Sequence, residues 1–317
     1  NMMRTTHNSI YLIIFSKKPH TIWKLIIVVI INSKEYDMEI KPTKSQIEAF
    51  RNDGAFLFKN CLTEKQISDC YEIFKWNMTH PGPSNFRALD GTKLQTHIDN
   101  ANPLSKDKLD NLVKTLPFGK IFQELWGSEN VWYFAEEIFA KENGNSGRGP
   151  WHQDTANLPW AGKHWGNAWI TFQSLPKKNC LEVIRGSHNG IQYDGSSFSN
   201  PNDPTDPLWG DGTYPRLPHI DEELSKNPNA YDVLSWDLKP RDVVILHPRA
   251  LHGGAPVDEQ CPTRHTLVLR FFGDDATFRC LPTSNPSHAR NGFLFREEME
   301  KLNEGDLFRS PIFQKIA

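Results

Sequence analysis

The sequence changes character near Val131, and this change limits the folds that the chain can adopt. Before it, apolar residues recur at helical spacing, and two T-x-x-Q capping boxes, Thr43–Gln46 and Thr63–Gln66, mark the starts of helices. After it, short β-like runs are separated by Gly- and Pro-rich connections, and no helical period of useful length joins them. This order disfavours a parallel α/β sheet and predicts a mainly β fold with flanking helices, a β-sandwich or jelly roll. The predicted strands are Val131–Phe134, Ala168–Phe172, Cys180–Ile184, Val243–Leu246 and Thr266–Phe272.

The composition excludes several classes of protein. The chain has 317 residues, with 36 Lys and Arg against 38 Asp and Glu, so its formal net charge is -2. This balance excludes a strongly basic nucleic-acid binder, and we expect no nucleic-acid partner. The five cysteines form no C-x-x-C pair and are odd in number. They argue against a disulfide framework and predict a reducing, cytoplasmic location.

The amino-terminal segment differs from the rest of the chain. Its two apolar runs, Ile10–Phe15 and Ile22–Ile31, are shorter than the ~20 apolar residues that a membrane-spanning helix needs. No small-x-small cleavage site follows them. We therefore expect no membrane association, and we predict that residues 1–37 form an extension outside one domain at residues 38–317, with a membrane anchor as the alternative interpretation of that segment. Within that domain, the polar, Pro- and Gly-rich stretch 194–228 predicts a long insertion of the kind that forms lids and binding loops.

Three H-x-D motifs occur, at residues 97–99, 152–154 and 219–221. In the third, Asp221 is typical of a helix N-cap, because two acidic residues follow it in what would be the first turn. The first motif runs into a turn signature at residues 100–103. The second, His152-Gln153-Asp154, stands at the start of the β-rich half and is the best candidate for a metal site.

On a strand, His152 and Asp154 would point to the same face and could bind one metal ion. A third ligand from a distant strand would complete the facial triad of two histidines and a carboxylate that non-haem Fe(II) oxygenases use. His247 and His252 are both candidates, since both follow the buried-type strand Val243–Leu246. His252 also precedes two glycines, where close approach of the backbone is allowed. A solvated surface strand is the alternative interpretation of the first two residues.

Arginines and tryptophans supply further candidates. Arg264 stands at the head of the last predicted strand, where its guanidinium could bind a dicarboxylate through two parallel hydrogen bonds. Arg270 is expected on the same face and is a second candidate anchor, although a surface salt bridge is the usual role of an isolated Arg. A substrate pocket could be lined by Trp151, Trp160, Trp165, Trp209 and Trp236, with core packing as the alternative for each.

The order and spacing of these motifs resemble the phytanoyl-CoA dioxygenase family of Fe(II)- and 2-oxoglutarate-dependent oxygenases. The resemblance extends from about Met38 to about Phe313. It rests on the ordered set Gly149–Asp154, Ala168–Phe172, Cys180–Ile184, Gly186–His188, Leu251–Gly254 and Arg264.

The resemblance implies a double-stranded β-helix core, a cupin-like jelly roll. It implies that His152, Asp154 and His252 bind Fe(II) and form the catalytic centre. The implied contacts to the cosubstrate 2-oxoglutarate are Arg264, at its far carboxylate, together with Gln153, Trp169 and Lys93.

The implied reaction is hydroxylation of a small organic molecule by O2, coupled to decarboxylation of 2-oxoglutarate to succinate. Asp154 argues for hydroxylation, or a desaturation variant, over halogenation, because the related halogenases have a small residue at this position. Gly254 departs from the family, whose members often have Ser there. The near-neutral charge and the lack of a Lys/Arg cluster near the motif favour a free small molecule over a CoA ester.

Two other functions stay open. One is a cupin-like metal-binding protein without oxygenase activity, such as a Zn-dependent isomerase or a sensor. Arg264 together with Trp169 distinguishes the two, because a metal site without a cosubstrate needs no buried anchoring arginine. The other is a degenerate member with a scaffold role, against which the intact set of three ligands argues. The sequence makes no prediction of the oligomeric state.

Overall fold

The structure, a computed structural model, describes residues 10–13, 27–30, 40–88, 91–92, 96–144, 146–282 and 295–317. The chain divides into two compact units, Asn1–Glu39 and Ile40–Ala317. In the first unit, β1 (Ile10–Ile13) pairs with β2 (Ile27–Ile30) in antiparallel fashion. None of the helices in the described ranges combines the length and the apolar character that a membrane crossing requires. The domain boundary between residues 37 and 38 stays a prediction.

Four of the described helices lie in the first ninety residues of the second unit. Both predicted capping boxes are confirmed, because Thr43 and Thr63 each accept a hydrogen bond from the third backbone N–H of their helix and donate their own N–H to a glutamine side chain. The first helix is capped at its C-terminus by Gly54, whose φ of 84° favours glycine. The helices are α1 (Lys44–Asp53), α2 (Glu64–Thr79), α3 (Lys106–Val113), α4 (Phe118–Trp126), α5 (Ile220–Lys226) and α6 (Arg296–Met299).

The strands of the second unit form one large and one small antiparallel sheet. Their bounds are β3 (Ala55–Phe58), β4 (Phe86–Ala88), β5 (Thr96–Asn100), β6 (Val131–Lys141), β7 (Gly149–His152), β8 (Trp160–Ala161), β9 (Trp165–Thr171), β10 (Leu181–Ile184), β11 (Val233–Leu234), β12 (Val243–Leu246), β13 (His252–Gly254), β14 (Arg264–Gly273), β15 (Thr277–Phe278) and β16 (Gln314–Lys315). The large sheet has the order β3-β12-β9-β14-β6-β5-β4, with β16 on β6, and the small sheet has the order β11-β10-β13-β7. The short strands β8 and β15 pair with each other.

The two sheets exchange strands along the chain in the manner of a jelly roll. β6, β9, β12 and β14 lie side by side in the large sheet, and the segments between them return through β7, β10, β11 and β13 of the small sheet. This alternation confirms the predicted fold class. β6 extends beyond the predicted strand, which ended at Phe134. The prediction stopped short because Glu136 and Glu137 interrupt the apolar pattern, but the pairing of β6 with β14 continues to Lys141.

The large sheet packs against helices on one face and against the small sheet on the other. Ala168 and Ile170 of β9 belong to the core that also contains the apolar faces of α1–α4. Trp169, between them, belongs to the second core, with Leu181 and Val183 of the small sheet. This alternation follows from the two-residue period of a strand. The inner faces of both sheets are therefore available to line a site.

The predicted insertion at residues 194–228 is a loop-rich segment that carries only the short helix α5 among its described residues. The carboxylate of Asp194 accepts hydrogen bonds from two backbone N–H groups within the same segment. The expectation that Asp221 is a helix N-cap is wrong, because the capping position is His219 and Asp221 lies in the first turn. There its carboxylate binds Arg148 and the indole N–H of Trp151, which attaches the insertion to the small sheet.

Candidate metal centre and cosubstrate cavity

A cavity of about 520 Å³ lies between the two sheets. Its walls combine apolar side chains, among them Phe134, Phe139 and Leu158, with a smaller number of charged and polar groups. The insertion contributes Phe198, whose ring contacts the ring of His152 edge-on at a centroid distance of 5.2 Å. Phe198 has a φ of 53°, which is uncommon for a residue other than glycine. The insertion therefore forms one wall of the cavity directly over His152.

Two neighbouring strands bring the two histidines together. β7 ends at His152 and β13 begins at His252, and the two residues stand directly opposite each other in the antiparallel pair. Their ring centroids are 4.2 Å apart. The two strands can approach closely because the residue after His252 in β13 is Gly253. A Cβ added there would lie 2.9 Å from the carbonyl oxygen of Pro150 in β7.

Asp154 joins the histidines from a turn. The expectation that His152 and Asp154 share a strand is wrong, because β7 ends at His152 and Asp154 opens a 3₁₀ turn, Asp154–Ala156. The turn nevertheless holds Oδ1 of Asp154 at 3.6 Å from Nε2 of His152 and of His252. One ligand atom from each of the three residues lies within 4.8 Å of the others, so the group could hold a metal ion. Two nitrogens and one carboxylate oxygen match the facial arrangement of non-haem Fe(II) sites.

Surrounding hydrogen bonds determine which atoms face the centre of this triad. Each histidine donates its Nδ1–H to the backbone carbonyl two residues before it, at 3.0 Å for His152 and 2.8 Å for His252. Each Nε2 therefore keeps a lone pair for a metal. Oδ2 of Asp154 accepts a hydrogen bond from Nδ2 of Asn167 at 2.6 Å, which leaves Oδ1 to face the histidines.

The charges around the triad favour the metal-binding protonation states of Asp154 and His252, whereas those around His152 favour its protonated form, from which a metal ion must displace a proton. Burial raises the pKa of Asp154, but Arg270 and the two histidines lower it more, and the net pKa lies well below its usual range. Burial and then His152 lower the pKa of His252 to about 4, against an opposing contribution from Asp154. For His152, burial lowers the pKa but the Asp154 carboxylate outweighs it, so the net pKa is raised. A carboxylate and a neutral imidazole are the ligand forms that bind a cation.

The two candidate arginines line the cavity but differ in their partners. Arg270 forms an ion pair with Glu137 and lies 3.8 Å from Oδ2 of Asp154, so its charge is already balanced. Arg264 is buried at the head of β14, stands 5.8 Å from the ring of Trp169, and forms no ion pair with any residue that the structure describes. Burial lowers its pKa to about 10. Arg264 is thus the cation that is available for an anionic ligand.

The structure separates the other predicted site residues. Trp169 lines the cavity beside Arg264. Gln153 does not line it, because its side chain is held by the backbone of Ile191, Tyr193 and Arg249. Lys93 lies outside the described residues.

His247 lies apart from the triad. It packs against Phe50 and His188, and burial lowers its pKa to about 3. His188 itself forms a hydrogen bond with the backbone carbonyl of Arg51. These contacts connect α1 to the start of the turn after β12, which is a structural role.

The five tryptophans suggested as pocket walls do not line the described cavity. Trp160 and Trp165 stack on each other at a centroid distance of 4.2 Å within a separate aromatic cluster. The cavity is lined instead by phenylalanines from β4, β6 and the insertion, which carry no motif that could have identified them. Sequence reasoning also missed Lys141, a buried lysine that lines the cavity opposite Arg264.

Gly254 also lines the cavity, with a φ of 81°. An added Cβ would lie 3.0 Å from the side chain of Glu182. The backbone at this position therefore favours glycine over the serine of related sequences.

Comparison with known proteins agrees with this geometry. The model of the phytanoyl-CoA dioxygenase (PhyH) family matches residues 50–266. No curated protein matches the chain.

Three similar solved structures share the fold. One is the non-heme alpha ketoglutarate dependent carbocyclase SnoK from nogalamycin biosynthesis, with a TM-score of 0.59 and 17% identity over 87% of this chain and 97% of that chain. The second is the epimerase SnoN in complex with Fe3+, alpha ketoglutarate and nogalamycin RO, with a TM-score of 0.60 and 16% identity over 86% and 98% of the two chains. The third is EctD from S. alaskensis with bound Fe, with a TM-score of 0.57 and 12% identity over 86% and 89%.

We predict that His252, and not His247, is the third metal ligand. Calorimetric titration of the metal-free protein with Mn(II) should show one site. His252→Ala should weaken Mn(II) binding by at least ~100-fold, because loss of a direct ligand should cost at least as much as the largest losses seen for residues that only hydrogen-bond to a ligand. His247→Ala should leave the affinity within about twofold, provided that circular dichroism shows a folded protein. Retention of the site in His252→Ala together with its loss in His247→Ala would contradict the assignment.

Proposed function

We propose that this chain, which belongs to the phytanoyl-CoA dioxygenase (PhyH) family, is an Fe(II)- and 2-oxoglutarate-dependent oxygenase that hydroxylates a small organic molecule. The observation that carries the proposal is the presence, in one cavity, of the convergent triad and of a buried arginine without a carboxylate partner among the described residues. A metal-binding cupin without a cosubstrate would have no use for that arginine, whose burial costs free energy.

In this proposal, His152 and His252 hold Fe(II) through Nε2 and Asp154 holds it through Oδ1. Three protein ligands leave the remaining coordination positions open for the cosubstrate and O2. The bound iron would supply dioxygen activation coupled to conversion of 2-oxoglutarate to succinate and carbon dioxide. Arg264 binds the far carboxylate of 2-oxoglutarate, and Trp169 packs beside it. Asn167 and Arg270 keep the Asp154 carboxylate ionised and oriented.

Asp154 argues for hydroxylation, or a desaturation variant, over halogenation, because its carboxylate occupies the coordination position that a halide would need. The phenylalanine-rich walls favour a substrate with apolar surface. The Glu137–Arg270 pair offers it a polar contact next to the metal ligands. A cytoplasmic location stays a prediction, to which the free cysteines of the described residues add support.

The binding half of the proposal is tested by anaerobic spectroscopy. Wild-type protein with Fe(II) and 2-oxoglutarate should develop the weak visible charge-transfer band of the metal-bound 2-oxo acid. Arg264→Ala should weaken 2-oxoglutarate binding by at least ~30-fold, because it removes one partner of a buried ion pair. Arg185→Ala, which removes an exposed arginine with surface partners, is the matched control and should keep the band. A band that persists unchanged in His152→Ala would refute the metal assignment.

The reaction half is tested by a succinate-release screen over pools of small molecules. A true substrate should stimulate succinate release, and its product should be heavier by one oxygen atom in mass spectrometry. Asp154→Ala should abolish both signals, since it removes a metal ligand. A product that has lost two hydrogens, or that is an isomer of the substrate, would show that the reaction is not hydroxylation.

A further inference from the structure

Lys141 and Arg264 form a pair of buried basic side chains at one end of the cavity. They are direct partners in the antiparallel register of β6 and β14, so their side chains lie on the same face of the large sheet. The residues are 3% and 6% exposed, respectively, and both line the cavity. This placement follows from the pairing of two strands that are distant in sequence.

Neither cation has a carboxylate partner within the part of the chain that the structure describes. Nζ of Lys141 donates a hydrogen bond to the carbonyl oxygen of Gly147 at 2.6 Å, and Nε of Arg264 has no hydrogen-bond partner. Among the described residues, Arg148, from the segment before β7, is a further charged group that faces Lys141, and it is already paired with Glu182 and Asp221. Two like charges in a buried space are unfavourable, so the charged form of Lys141 is disfavoured unless an anion enters between the two side chains.

The charge state of Lys141 responds to this environment. Burial, and then the positive charges of Arg264 and Arg148, lower the pKa of Lys141 to about 6. In the absence of ligand, Lys141 is therefore largely neutral at pH 7.5. An anion that lies against it would raise this pKa, because it favours the charged ammonium.

We propose that Lys141 and Arg264 together bind the distal carboxylate of 2-oxoglutarate, which makes Lys141 a cosubstrate-binding residue. The inference rests on the proposed function, because it requires the 2-oxo acid to lie in this cavity. With both residues, the cavity should prefer dicarboxylic over monocarboxylic 2-oxo acids. This preference should be stronger than the one that Arg264 alone would provide.

The pair predicts a linkage between ligand binding and protonation. Since the bound carboxylate raises the pKa of Lys141 above about 6, the complex takes up part or all of one proton from solution when it forms at pH 7.5. The affinity for 2-oxoglutarate therefore falls as the pH rises from about 6 towards the pKa of Lys141 in the complex. Replacement of Lys141 by a side chain of fixed charge should remove this contribution to the pH dependence of the affinity for 2-oxoglutarate.

The experiment is a set of calorimetric titrations of the full-length, Mn(II)-loaded protein, which measure binding without turnover. The ligands are 2-oxoglutarate and 2-oxopentanoate, which has a methyl group in place of the distal carboxylate. Lys141→Met keeps the length of the side chain without the charge, and Lys141→Arg keeps a charge that does not titrate in this range. Arg264→Met serves as the reference for loss of the other cation.

At pH 6.5, Lys141→Met should weaken 2-oxoglutarate binding by at least ~10-fold, as expected for loss of one buried charge partner, and should change 2-oxopentanoate binding by less than about twofold. Lys141→Arg should restore most of the affinity. Wild type should lose affinity between pH 6.5 and 8.5 by more than Lys141→Arg does, since only the lysine releases its proton.

Three results would overturn the inference. In the first, Lys141→Met binds 2-oxoglutarate as tightly as wild type. In the second, it weakens both ligands equally, which indicates a structural defect. In the third, wild-type protein with Mn(II) binds no 2-oxoglutarate, which refutes the proposed function as well. The first two results leave the proposed function intact.

Discussion

The site depends on the pairing of β7 with β13. This antiparallel contact places His152 and His252 opposite each other, and it is close enough only because residue 253 has no side chain. The turn that follows β7 is tied to the loop between β12 and β13 by a hydrogen bond of 2.9 Å from the Asp154 N–H to the carbonyl of Pro248. One strand pair and one turn thus position all three candidate ligands, while the rest of the jelly roll holds the two sheets around the cavity.

The charges in the cavity are distributed unevenly, and this asymmetry suggests the orientation of the cosubstrate. Next to the triad, Arg270 is balanced by Glu137 and Asp154. Where β14 begins, Arg264 and Lys141 have no carboxylate partner among the described residues. A molecule with a metal-chelating group at one end and a carboxylate at the other complements this arrangement. The other walls are largely apolar, with Phe134, Phe139 and Leu158 among their side chains, and the insertion adds Phe198 over His152.

Local signals in the sequence were sufficient for much of the fold and for part of the site. The capping boxes at Thr43 and Thr63 and the apolar run Val243–Leu246 depend on neighbouring residues alone, and the structure has a helix or strand at each. Lys141 could not be identified, because its significance comes from its register with Arg264 across two strands far apart in the chain. The orientation of Gln153 likewise depends on where the loop at 191–193 returns. Non-local pairing, which a single sequence does not encode in any short window, decided both cases.

The most direct test of the account is a crystal structure of the protein grown without oxygen in the presence of Fe(II) and 2-oxoglutarate, with anomalous data collected at the iron edge. We predict one anomalous peak, bonded to Nε2 of His152, Nε2 of His252 and Oδ1 of Asp154. The 2-oxo acid should chelate this metal and direct its distal carboxylate to Arg264. An anomalous peak held by other residues, or a 2-oxoglutarate whose distal carboxylate lies away from Arg264, would contradict the account.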